Sequence, residues 1–258
     1  MRQTRRNSRG IGLLIGVAGL VLLVGSVSPG QGQAWTEVSR LTASDAAAGD
    51  GFGVSVAISG KTAIVGASLD DDNGADAGSA YLFDTTSGKR LFKLTAADAA
   101  AGDRFGWSVA ISGTTAIVGA FADDDNGTNS GAAYLFDIAT GNQLFKLTAR
   151  DGAAGDWFGW SVGISGTTAI VGARMDDDSG TNSGSVYLFD TTTGAQIAKL
   201  TARDAAAGDL FGIAVGISRT IAIVGAQMDD HSGSFSGSAY LFDTTTGDQL
   251  FKLTACEA

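Results

Sequence analysis

A 53-residue unit recurs four times without insertion or deletion. Phe52-Gly53 returns as Phe105-Gly106, Phe158-Gly159 and Phe211-Gly212, and Gly66-Ala67 returns as Gly119-Ala120, Gly172-Ala173 and Gly225-Ala226. Between residues 94–146 and 147–199, 39 of 53 positions are identical. A repeat of this length is one supersecondary unit that cannot bury its apolar face alone, so the units must stack.

The second copy shows what the unit is. Phe105 to Ser112 alternates large with small, the period of a strand. Phe105, Trp107, Val109 and Ile111 are expected on one face, and Gly106, Ser108, Ala110 and Ser112 on the other. Ser112-Gly113-Thr114 reads as a tight turn, and Thr115 to Ala120 as a second strand. After an acidic loop come Ala132 to Asp137 and Gln143 to Ala149, joined by an Asp-Ile-Ala-Thr-Gly hairpin. Its Asp can accept from backbone N–H groups and its Gly can take positive φ. The link to the next copy, Asp-Ala-Ala-Ala-Gly-Asp in most copies, reads as one helical turn with an Asp cap and a Gly stop. Neither face of the first strand carries charge, which suits sheets covered on both sides. The reading is all-β: a β-propeller of four-stranded antiparallel blades over about residues 52–96, 105–149, 158–202 and 211–255. Residues 35–43 repeat the fourth-strand sequence and form a surplus strand. The ring is therefore either a closed small propeller or a partial ring that could pair as a homodimer.

The registered Phe-Gly and Gly-Ala pairs resemble the FG-GAP repeat of integrin α-subunit propellers and of bacterial secreted proteins. The resemblance covers residues 41–255. It implies a β-propeller used for extracellular binding or adhesion, often with calcium; the residues themselves offer no constellation for catalysis, so no enzyme activity is expected. Two departures are visible. The family's calcium loop lies between the first and second strands, where this chain has only Ser59-Gly60-Lys61 and its counterparts, without carboxylates. Integrin-type propellers also have seven blades, against four here.

Residues 1–34 read as an export signal. Four arginines precede an apolar run from Ile11 to Val24, and Gly32-Gln33-Ala34 offers a small-x-small cleavage site. The remaining 35–258 would be secreted or surface-bound, without a stable membrane span. Formal net charge is −10, and loss of four arginines makes the remainder more acidic, which argues against nucleic acid as partner. Cys256 is the single cysteine, so no internal disulfide forms.

Two sets of candidate residues follow. The first is the acidic loops: Asp70, Asp71 and Asp72; Asp123, Asp124 and Asp125; Asp176, Asp177 and Asp178; Asp229 and Asp230, where His231 takes the third place. Clustered carboxylates and loop carbonyls suit calcium, and the fourth copy should be the poorest site. The second set is the positions that vary between copies on the same rim: Arg104, Phe121, Trp157, Arg174 and Phe235. A constant scaffold with variable loops is how binding proteins are built, and Arg and aromatics dominate interface energetics. These residues are expected to meet an extracellular protein or glycan. The competing reading is a purely structural module of a larger surface assembly.

Overall fold

The computed structural model of the protein describes residues 10–16, 19–25, 36–231 and 233–255. Among them there is no helix, and so none long and apolar enough to cross a membrane. Four antiparallel sheets follow one another, each a simple meander. The first holds β4 (Phe52–Ser59), β5 (Thr62–Ala67), β6 (Ser79–Asp84) and β7 (Arg90–Leu94). The second holds β8 (Ser108–Ser112), β9 (Thr115–Ala120), β10 (Ala132–Asp137) and β11 (Gln143–Leu147). The third holds β12 (Phe158–Ser165), β13 (Thr168–Ala173), β14 (Ser185–Asp190) and β15 (Gln196–Leu200). The fourth holds β16 (Phe211–Ser218), β17 (Ile221–Ala226), β18 (Ser238–Asp243) and β19 (Gln249–Thr254). These are propeller-type blades, one per repeat, but they do not close into a ring.

The core lies between blades. Ile64, Leu82 and Leu94 on the back of the first blade meet Phe105, Val109, Ile111 and Phe136 on the front of the second. Phe105 packs edge-on against Tyr134 and Phe136, with ring centroids at 5.5 and 5.8 Å. Burying one such ring stabilises the joint by about 2–3 kcal/mol. The glycine signature has its cause here. A side chain at Gly66 would collide with the carbonyl oxygen of Gly106, and one at Gly119 with that of Gly159. The Phe-Gly and Gly-Ala glycines let two backbones touch across the joint.

The Phe-Gly step also breaks the strand. Gly106 has φ +92°, the ladder shifts register between Phe158 and Ser161 in the third blade, and β8 begins only at Ser108. This corrects the expected alternation: Trp107 leaves the face of Phe105 and sits against Trp160 of the third blade, centroids 4.8 Å apart.

The link between copies is a turn, not a helical turn. The second Asp closes it: Asp103 Oδ2 accepts from the Ala100 N–H at 2.7 Å. Gly102 takes φ +97° as the sequence suggests. The hairpins form as expected, with Asp137 Oδ1 accepting from the N–H groups of Ala139 and Thr140 at 2.9 and 2.8 Å.

The surplus strand is β3 (Thr36–Leu41). Its partner is β2 (Gly19–Gly25), which pairs in turn with β1 (Gly10–Gly16). The backbone register of β2 on β3, with Leu20 opposite Leu41 and a shift after Leu22, repeats that of β6 on β7, with Ala80 opposite Leu94 and a shift after Leu82. The expected cleavage site, Trp35 and Cys256 lie outside the described residues.

Candidate binding rim

Strand direction brings the acidic loops and the inter-blade turns to one rim. Backbone bonds tie them: the N–H groups of Gly102 and Arg104 donate to Ala75 and Asp76. The loops then fold around a lysine. Tyr134 and Lys146 are cross-strand partners on β10 and β11, so both side chains leave the same face. The Tyr134 hydroxyl donates to Asp123 at 2.7 Å. Lys146 Nζ donates to Asp98, Asp123 and Asp125 at 2.8, 2.9 and 2.6 Å. In the first blade Lys93 does the same with Asp45, Asp70 and Asp72, and in the third Lys199 with Asp151, Asp176 and Asp178. In the fourth, Lys252 reaches only Asp204 and Asp229, at 2.6 and 2.8 Å.

The middle carboxylates are used as well. Asp71, Asp124 and Asp177 accept from the N–H groups of Asp76, Asn129 and Asn182 at 2.7, 2.6 and 2.7 Å. Asp98, Asp123 and Asp125 bring oxygens within 4.8 Å of one another, a group of the kind a hard cation seeks. Lys146 Nζ donates to all three of these residues. A divalent ion would have to displace that ammonium, which already draws on all three carboxylates. The donor set fits lysine better than calcium.

Electrostatics follow from this packing. Burial works against ionisation of Asp229, but Lys252 and Tyr240 more than offset it and hold the carboxyl at about 2. Asp103 is buried without a lysine of its own, and burial, helped by the charge of Asp123, pushes it to about 6. Burial and the facing Asp123 drive the Tyr134 phenol well above its ordinary range. The four tyrosines are blade packing, as the repeat suggested, and hydrogen-bond donors besides. The lysines were missed by sequence reasoning, although they recur at the same 53-residue step.

The variable positions separate into three fates. Phe121, Trp157 and Arg174 come together with Trp107 and Trp160 at the rim between the second and third blades. Trp157 and Trp160 stack, centroids 5.3 Å apart and 19° between planes. Phe121 lies 4.9 to 5.4 Å from Trp107, Trp157 and Trp160. The Arg174 guanidinium covers Trp160 at 3.7 Å and Trp157 at 4.6 Å. Arg174 Nε is buried there with no hydrogen-bond partner among the described residues. Arg104 turns away to Asp76, 3.1 Å distant. Phe235 stands apart on the fourth blade, 71% exposed. Trp157 has φ +56° and Phe235 φ +57°, a region bulky residues seldom enter. His231, the only histidine, is exposed on the fourth acidic loop.

The model of the FG-GAP repeat family matches four times, over residues 35–83, 90–136, 142–189 and 195–242. No curated protein matches the chain. Three of the matched windows open at the fourth strand of one sheet and end on the third strand of the next, and the first opens at β3 and ends on β6. The family's unit therefore spans the joint between blades, and β3 belongs to the first unit.

Proposed function

The chain belongs to the FG-GAP repeat family, and on that premise we propose that it is a secreted or cell-surface binding module. Its contact patch is the cluster of Trp107, Phe121, Trp157, Trp160 and Arg174, and its partner is an extracellular protein or glycan. The observation that carries this reading is Arg174. Its guanidinium is stacked on two indoles while the residue stays partly exposed at the rim. An arginine held flat on aromatics is preorganised to meet a carboxylate or hydroxyl of a partner.

Three of the four tryptophans lie in this patch, so tryptophan emission reports on its occupancy. Titration with envelope proteins and soluble polysaccharides should change the emission for at least one ligand, and Phe121→Ala with Arg174→Ala should abolish the change while the melting transition survives. Full binding by the double variant would discard the patch. The acidic loops enter as scaffold, with lysine ammonium in place of calcium. A melting midpoint that does not move between chelator and millimolar calcium is expected; a clear rise with calcium would reverse this point.

A further inference from the structure

We propose that the ligand of the aromatic patch is an uncharged oligosaccharide whose sugar rings carry equatorial hydroxyls; this rests on the reading of the patch as a contact site. Charge narrows the choice first. Asp124 and Asp125 follow Phe121 by three and four residues, Asp177 and Asp178 follow Arg174 by the same steps, and all four are exposed. Carboxylates on the loops that leave the patch repel an anionic ligand. Arg174 lies across the faces of Trp157 and Trp160, the place a cationic ligand would need. A ligand without charge meets neither obstacle.

The change from one joint to the next points the same way. Between the first and second blades Asp76 and Arg104 form an ion pair at 3.1 Å, and the Arg104 N–H donates to the Asp76 carbonyl at 3.2 Å. Between the second and third blades the same two places hold Asn129 and Trp157, and the same backbone bond is kept at 3.2 Å. The backbone is constant, while a salt bridge has given way to an amide and an indole. An amide both donates and accepts, and so does a sugar hydroxyl. Asp124 Oδ1 accepts from the Asn129 N–H at 2.6 Å, which fixes the loop that presents the amide.

The form of the surface completes the case. Trp107, Phe121, Trp157 and Trp160 are each partly exposed and pack ring to ring, centroids 4.8 to 5.4 Å apart. A pyranose with equatorial hydroxyls turns its axial C–H bonds to its two faces. Each face is therefore apolar and the edge polar. Such a face lies on aromatic rings while the edge reaches a few polar groups around them, here Arg174 and Asn129.

The test is tryptophan emission of the full chain titrated with hexasaccharides of one equatorial linkage: cellohexaose, its N-acetylglucosamine analogue, the cationic glucosamine hexamer and the anionic glucuronate hexamer. At least one of the two neutral hexamers should bind, with an affinity constant within about twofold up to about 0.5 M salt. The charged hexamers should bind about tenfold more weakly or not at all. Trp160→Ala should abolish binding. Asn129→Asp, which the backbone accepts as it accepts Asp76 at φ +56°, should weaken it about tenfold and keeps the test open if Trp160→Ala fails to fold. No response to either neutral hexamer, or equal binding of a charged one, would overturn the choice of an uncharged sugar. An envelope protein that changes the emission of wild type but not of the Phe121→Ala, Arg174→Ala double variant, with both neutral hexamers silent, would overturn the sugar and keep the patch. A neutral hexamer that binds Trp160→Ala and Asn129→Asp at full strength would overturn both.

Discussion

Two neighbouring stretches of one rim behave oppositely under the 53-residue step. The knot of lysine, tyrosine and aspartates recurs in every blade, with the same donors and nearly the same distances. The aromatic patch occurs once, between the second and third blades. The knot pairs its cation with carboxylates, while the patch lays its cation, Arg174, on indole faces. Recurrence marks what every blade needs in order to stand, and the departure marks what one joint does alone. The fourth blade sharpens the contrast, because His231 removes one carboxylate from its knot and Lys252 pairs with two residues instead of three.

The largest effect should come from breaking a knot. Lys146→Met leaves the buried Asp123 facing Asp98 and Asp125 with no cation. Breaking a buried pair costs about 3–5 kcal/mol, and the partial exposure of Asp98 and Asp125 brings the expectation to about 2 kcal/mol. Lys252→Met should cost less, since fewer carboxylates are orphaned. Denaturant midpoints measure both, and equal losses would erase the distinction between a full and a depleted knot.

Trp157→Gly addresses the patch. The first blade has Gly51 at this place, with φ +68°. Glycine relieves about 1–2 kcal/mol of left-handed strain, and the lost ring stacking removes about 0.5–1.5 kcal/mol. The two nearly cancel, so stability should stay within about 1 kcal/mol of wild type while ligand-induced emission disappears. A loss as large as that of Lys146→Met would make the patch scaffold after all.

The blades were legible in the sequence because their cause is periodic. Alternation, turn glycines and a fixed step each reported on the same backbone, and the strands fell where those signals placed them. Trp107 was misplaced because Gly106 adopts positive φ at the start of a bulge, which turns Trp107 out of the face that Phe105, Val109 and Ile111 still share; nothing in the pattern of side chains encodes that. The acidic loops were legible as charge, but not as charge already met. Lys146 lies 21 residues from Asp125 and 48 from Asp98, and only the register of β10 on β11 brings them together. Among the variable positions, Phe121, Trp157 and Arg174 converge because two blades face each other there, a juxtaposition that repeat alignment alone does not reveal. The missing closure was open in the sequence, since the surplus strand suited either ending.

The smallest effect separates the lone buried carboxylates from those in the knots. Asp103 has a folded value near 6 against an ordinary 3.8, so the folded state holds its proton over that interval. Its contribution to stability is complete below about 3.8 and is lost as pH rises through about 6. Asp229, held near 2, runs the other way: its contribution is present above about 3.8 and is lost as pH falls through about 2. Together these groups favour the fold most near pH 4. Asp103→Asn keeps an oxygen for the Ala100 N–H but cannot ionise, so it should flatten the decline between pH 4 and 6 by under about 1 kcal/mol and leave the acid limb unchanged. Urea midpoints across pH 3 to 7 read both limbs. A variant that alters the acid limb instead would mean that Asp103 acts on stability through the knot carboxylates rather than through its own ionisation.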